Sequence, residues 1–370
     1  MVHETHETKL ACGAQDRLAV IDGRPAMPET INRQIVLAAY PEGAPKDGDF
    51  DHIEAPVPEP DAGQVLCQAI YLSLDPYMRG RISPAKSYAK GVAIGKVITG
   101  GTVSRVIKSK SPNFTEGDIV FGYTGWQDYA AMEAEQLRIV DPQLAPVSTA
   151  LGVLGMPGMT AYTGLANIGQ PKPGETLVVA AASGAVGSAV GQIAAIKGCR
   201  AIGIAGSPDK CTFVVEELGF DACLNHRDPD FADELKSACP DGIDIYWENV
   251  GGAVFQAVLP LCNEFARIPV CGLVAHSNAT ELPSGPNQVP VLMRSALTKR
   301  LRIQGFIVWD YAAQEAEFME EMSRWIREGR VRYREDFVDG LDNAPGAFRG
   351  LLQGKNFGKL VVRVSPDPTR

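Results

Sequence analysis

The sequence predicts an α/β protein in which a doubly wound parallel sheet is inserted between two parts of a mostly β domain. Three observations carry this. Residues 31–140 fall into short β runs broken by Gly and Pro. From residue 176 six apolar strand patterns alternate with segments of helical period, which implies a parallel sheet covered on both faces. Near the end, FGKLVVRVS (357–365) returns to a strand pattern and is read as rejoining the β domain.

In order, the first part contains INRQIVLAAY (31–40), FDHIEAPV (50–57), GQVLCQAIYLSL (63–74), GKVITGGTVSRVIKS (95–109), GDIVFGYTGWQDYAAM (117–132) and QLRIV (136–140). Turn signals such as Glu116-Gly117-Asp118 separate them, as in a barrel or sandwich. A helical stretch near 160–168 leads to the strands TLVVAAA, AIGIAG, ACLN, IDIYWEN, FARIPVCG and RIQGFIV. The helical pattern places helices at 185–197, 209–218, 231–238, 253–259 and 312–328. The expected division is a disordered leader over 1–30, a β-rich body from 31–155 and 330–370, and the parallel-sheet domain over 156–329.

A chain of 370 residues is long enough for two domains. Its formal charge of -9 lacks the clustered Lys and Arg that a nucleic-acid or anionic-membrane partner needs. The eight cysteines are scattered with no CxxC pair, which points to a reducing, cytoplasmic setting. No run of 18 apolar residues offers a membrane span. The N-terminal MVHETHETKLACGAQDRLAVIDGRPA lacks the basic and apolar regions of a signal peptide and reads as a polar, dispensable tail, with Met27 opening a natural-looking start. His3 and His6 stand three apart, but no third metal ligand is near.

The stretch VVAAASGAVGSAVGQ (178–192) contains a GxGxxG-like fingerprint with Ala182 at the first glycine. By itself it fits a tightly packed helix of small residues as well as a phosphate cradle. Its position at the first strand-to-helix turn favours the cradle. There Gly184, Ala185, Val186 and Gly187 let backbone N–H groups and the positive helix end meet a pyrophosphate. Ala182 is tolerable where the turn does not demand a positive φ. The second strand ends in Ala205-Gly206-Ser207 without an acidic residue for a ribose hydroxyl, and Lys210 follows. This favours NADPH over NADH. With only five histidines and no Cys pattern to match, zinc-assisted carbonyl chemistry is not expected. Hydride delivery to the β-carbon of an enone or enal suits such a site, because hydrogen bonds can stabilise the enolate.

The motifs LSLDPYMRGR (72–81), MPGMTAYTGL (156–165), AASGAVGSAVGQIAAIKGC (181–199), AGSPDK (205–210), ENVGG (248–252), ARIPVCGLVA (266–275), GFIV (305–308) and GKNFGK (354–359) cover nearly everything beyond residue 31. Through them the chain resembles the zinc-free medium-chain dehydrogenase/reductase family of NADPH-dependent curcumin, alkenal double-bond and prostaglandin reductases. The resemblance implies a Rossmann sheet inserted in a GroES-like catalytic domain, NADP as cofactor, a small-molecule enone or enal substrate, and a homodimer. It assigns the pyrophosphate to Gly184–Gly187 and the 2′-phosphate to Lys210. The nicotinamide and its ribose fall to Asn249, Cys271, Gly272 and the strand Phe306, Ile307 and Val308, and closure over the phosphates to Asn356. Tyr77 matches a substrate-facing tyrosine.

Two departures leave roles open. Many relatives carry a tyrosine after the strand-end CG; here Ser277 stands at that position with His276 beside it. The polar contact to the substrate is expected from His276, Tyr77 or Tyr88, with a bound water delivering the proton. At Asn225-His226-Arg227, His226 replaces a tyrosine that touches the 2′-phosphate, and Arg227 reinforces the NADPH preference. A quinone reductase and a non-catalytic NADPH-binding protein are the competing functions. PSGPNQ (283–288) reads as a turn or lid near the site.

Overall fold

The computed structural model describes residues 31–281 and 284–370, and the backbone of 20–21 and 24–25. Of the leader expected over 1–30 only these four residues are described; the rest, with His3, His6 and Met27, and the first residue of PSGPNQ lie outside the described residues. Two short strands, β1 (Val20–Ile21) and β2 (Arg24–Pro25), pair with each other. Then β3 (Ile31–Leu37) and β4 (Phe50–Pro56) form an antiparallel ribbon. A second sheet collects β5 (Gln64–Ser73), β6 (Thr102–Ser109), β7 (Ile119–Gly122), β8 (Tyr129–Glu133) and β9 (Arg138–Ile139), with the four-residue helix α1 (Met78–Arg81) following β5.

Helix α2 (Met156–Gly164) continues into a π turn, Leu165–Gly169, and leads to the parallel sheet. Its strands and helices alternate: β10 (Thr176–Ala180), α3 (Ala185–Ile196), β11 (Arg200–Ala205), α4 (Pro208–Glu216), β12 (Ala222–Asn225), α5 (Phe231–Ala238), β13 (Ile243–Trp247), α6 (Gly252–Val258), β14 (Cys262–Val270), α7 (Val289–Lys299), β15 (Arg302–Gly305) and α8 (Glu315–Arg327). The sheet order β12-β11-β10-β13-β14-β15 reverses direction beside β10, the doubly wound arrangement the sequence predicts. Period-two alternation explains why β10 is apolar throughout. Leu177 and Val179 enter one core with Ile193, Trp247 and Trp325, while Val178 and Ala180 enter the other with Ile202, Tyr246 and Ile268.

The chain then returns. β16 (Glu335–Asp339), α9 (Ala344–Leu352) and β17 (Lys359–Arg363) complete the second sheet, in which β17 lies antiparallel to β5 with Val361 opposite Ser73. Phe348 of α9 closes that core against Trp126, with ring centroids 5.8 Å apart.

Three sequence expectations are corrected. The strand expected to run through Phe306, Ile307 and Val308 ends at Gly305, and Val308 opens a 3-10 turn that delays α8 to Glu315. Helices α7 and α9 were not anticipated. The helix near 160–168 begins at Met156, after Gly155, where any side chain would lie 2.1 Å from the Ala150 carbonyl.

Candidate functional site

The turn between β10 and α3 is built by close backbone approach. Ala181, not Ala182, takes the left-handed conformation, at φ +54°, and so supplies the bend that a first glycine makes elsewhere. Gly187 is obligatory for steric reasons, since a Cβ there would sit 2.3 Å from the Ala181 carbonyl oxygen. Gly184 caps α3, so the N–H groups of Ala185, Val186 and Gly187 form the open first turn of that helix.

At the end of β11 two basic side chains converge on Gly206, and Lys210 follows at the start of α4. A side chain at Gly206 would lie 3.2 Å from His226 Nε2 and 3.7 Å from Arg227 Nε, so both rest over the bare backbone. Lys210 reaches across to the C-terminal segment and donates from Nζ to the Gly354 carbonyl at 2.6 Å. Burial, and then the charge of Arg227, lower the Lys210 pKa; the same two causes lower that of His226. Asn356 is in the same C-terminal loop, its Nδ2 donating to the Gly358 carbonyl at 2.8 Å.

The ends of β13 and β14 form a rigid shelf beside this turn. Asn249 Nδ2 donates to the Ala180 carbonyl at 2.8 Å and its Oδ1 accepts from Trp247 Nε1 at 3.1 Å, so the side chain is locked onto the end of β10. The Glu248 carbonyl accepts the N–H groups of Cys271 and Gly272 at 2.9 and 3.1 Å. The Glu248 carboxylate accepts those of Val250 and Gly251 at 2.6 and 2.7 Å. Burial raises the Glu248 carboxyl pKa and pushes the Cys271 thiol up to about 12, the opposite of the lowered pKa that activates a nucleophilic cysteine. Phe306 and Val308 are buried in the core, Phe306 edge-on to Trp247 at 5.7 Å, and half-buried Ile307 lies between them.

The proposed catalytic residues separate into two places. Tyr77 and Tyr88 stand together, bridged by Arg81, whose guanidinium carbon lies 5.5 Å from the first ring centroid and 4.9 Å from the second. His276 instead packs against Gly251 at the start of α6, and Ser277 follows it, half-buried. The two places are linked by Arg79, which donates from Nε to Asn278 Oδ1 at 3.0 Å and from Nη2 to the Gly43 carbonyl at 2.8 Å. Tyr77 shares a small pocket with Ser73, Asp75, Phe121, Tyr123 and Met156. Tyr123, just after β7, meets Trp309, in the turn after β15, edge-on at 6.3 Å, so aromatic rings from the two parts of the chain come together beside Tyr77. Burial, and then Asp75, raise the Tyr77 pKa well above that of a free phenol, which keeps its hydroxyl a hydrogen-bond donor.

Sequence reasoning missed Arg81, Tyr123, Trp309, Glu248 and Asp75 as site residues. Arg81 and Asp75 were inside the quoted LSLDPYMRGR motif; Tyr123 and Trp309 come together only through the fold.

Family models described as N-terminal domain of oxidoreductase and zinc-binding dehydrogenase match residues 33–140 and 185–327. Over 337 residues the chain is 57% identical to the NADPH-dependent curcumin reductase of Escherichia coli (strain K12), covering 91% of this chain and 98% of that protein. The chain belongs to the zinc-free medium-chain dehydrogenase/reductase family. Identity to the 2-alkenal reductase (NADP(+)-dependent) of Nicotiana tabacum is 41% over 347 residues, 92% of this chain and 99% of the relative. The crystal structure of CurA from Vibrio vulnificus in complex with NADPH superposes with a TM-score of 0.88 at 54% identity, covering 90% of this chain and all of the other. Among the described residues no group of three or more His, Cys, Asp or Glu is placed to hold a metal ion, so the residues present do not fit the zinc named in one family description. No helix among them is long and apolar enough to cross a membrane.

Proposed function

We propose that this protein is an NADPH-dependent reductase that saturates the C=C bond of an α,β-unsaturated ketone or aldehyde. The likeness to curcumin reductase over 91% of the chain carries the reading. The residues fit the cofactor: the open first turn of α3 suits a pyrophosphate, and His226 and Arg227 over a side-chain-free Gly206, with Lys210 near Arg227, suit a 2′-phosphate. Asn249, Cys271, Gly272 and Ile307 form the shelf for the nicotinamide end, and Asn356 holds the loop over the phosphates. Bound NADPH supplies the hydride. The chain's own part is to hold a flat conjugated substrate between aromatic rings and to stabilise negative charge on its carbonyl oxygen. Tyr77, kept protonated by burial, is assigned as donor, with Tyr88 and Tyr123 as walls. His276 and Ser277 are assigned to the nicotinamide side of the cleft.

The division into a β-rich body (31–155 with 330–370) and a Rossmann domain (156–329) is part of this proposal, as is a homodimer. The dimer reading is supported by β15, an edge strand, and by α7, where Met293 and Leu297 are 62% and 77% exposed. Free cysteines fit a cytoplasmic location.

The test is NADPH oxidation by purified protein with 2-alkenals, curcumin-like dienones and simple quinones, with product identification. Saturated carbonyl products are expected. Turnover confined to quinones would make it a quinone reductase, and tight NADPH binding without oxidation would make it a binding protein.

A further inference from the structure

The segment that carries Tyr77 is joined to the phosphate turn by a short buried path. Gly184, which caps α3, forms an isolated parallel bridge with Gly358. Gly358 holds φ +83°, and a side chain there would stand 2.2 Å from the Arg334 carbonyl oxygen, so the backbone is confined at this point. The next residue turns inward. Lys359 Nζ donates to the Leu74 carbonyl and to Asp75 Oδ1, both at 2.8 Å, and the two side chains are only 4% and 8% exposed. Ser73 Oγ donates to the other Asp75 oxygen, and the Asp75 carbonyl accepts the Met78 N–H at 3.1 Å at the base of α1. Tyr77 lies between those two residues.

Stability alone is a poor reason for this arrangement, because taking both charges out of water costs about as much as their attraction returns. An ammonium with three donors and a carboxylate with two oxygens does fix direction, which an apolar pair does not. We infer that Lys359 and Asp75 are a positioning pair that couples occupancy of the phosphate turn to the place of the Tyr77 hydroxyl. The mechanical part needs only NADPH binding; the catalytic consequence rests on the ene-reductase reading.

Hydrogen exchange with and without NADPH tests the coupling. In the unaltered protein NADPH is expected to slow exchange at 184–188 and also at 74–82. In Lys359→Met the first effect persists and the second shrinks about tenfold. Lys359→Met combined with Asp75→Leu removes the buried charges while refilling the volume. It is expected to unfold near the unaltered temperature, to lack the coupling, and to transfer hydride to an enone about tenfold more slowly at saturating NADPH. Equal NADPH protection of 74–82 in the unaltered and Lys359→Met proteins overturns the inference, as does its absence in both. A double variant that regains coupling and rate does the same, by showing that the pair is merely structural. If the exchange results are as expected while no enone is reduced, the ene-reductase reading fails and the positioning pair stands.

Discussion

Ala181 occupies a conformation that costs an L-residue with a Cβ about 1–2 kcal/mol, because the phosphate turn has its positive φ one position before the residue that aligns with the first fingerprint glycine. Ala181→Gly should therefore raise stability by about 0.5–1 kcal/mol, after the added chain entropy of glycine is deducted. A thermal melt that falls instead would show that the methyl packs too well to lose. Lys210 gives a pH prediction. Its charged form attracts the 2′-phosphate, and burial with Arg227 makes it lose its proton more easily than a free lysine. The Kd for NADPH should then climb as pH rises through this lowered pKa, and Lys210→Arg, which stays charged, should flatten the climb. Lys210→Met at neutral pH should weaken NADPH by about 10- to 100-fold, the worth of one charge-assisted contact, and leave NADH nearly unchanged. For chemistry, Tyr77→Phe should lower kcat about 100- to 1,000-fold with NADPH binding intact; His276→Phe, its ring against Gly251, tests the other side of the cleft. The residues proposed to hold the cofactor could be named from the sequence because that proposal follows from backbone form and charge at known offsets. Trp309 was not, since its meeting with Tyr123 depends on how two sheets face each other.

At the level of elements, small residues decide how closely α3 lies on its neighbours. A Cβ at Gly191 would stand 1.9 Å from the Phe220 ring, so Gly191→Ala forces either the helix or the ring to move. The expected cost is about 1–3 kcal/mol of overpacking, read as an earlier denaturation midpoint. No change would mean that Phe220 has an alternative place. The same small-residue text that made VVAAASGAVGSAVGQ ambiguous is thus a packing surface, which does not compete with its proposed role as a phosphate turn. Strands β10, β11 and β13 were legible because burial on both faces makes them nearly continuous apolar runs. Helix α7 was not, for a related reason. Its large apolar residues Val289, Val291, Met293 and Leu297 are exposed, so they do not show the pattern of a helix packed on its own core. The end of β15 was misplaced because Phe306 and Val308 are apolar and buried, as strand residues are, although the backbone has already turned.

At the scale of the whole molecule, that outward apolar face belongs to α7, which in the chain leads directly into the edge strand β15. A second copy related by a two-fold axis can cover α7 and extend the sheet through β15, burying in one step the apolar side chains and the unpaired strand groups that a monomer leaves in water. The phosphate turn lies elsewhere, at the carboxyl ends of the central strands β10 and β11, so the interface and the cofactor site are separable by mutation. Met293→Glu with Leu297→Glu places charge in the centre of the covered face, where an unpaired buried carboxylate costs several kcal/mol. Sedimentation velocity should show the unaltered protein as a dimer and the double variant as a folded monomer that binds NADPH with unchanged affinity. A double variant that remains dimeric removes α7 from the interface. An unaltered protein that sediments as a monomer at every concentration removes the dimer itself and leaves the exposed face of α7 to be explained by another partner.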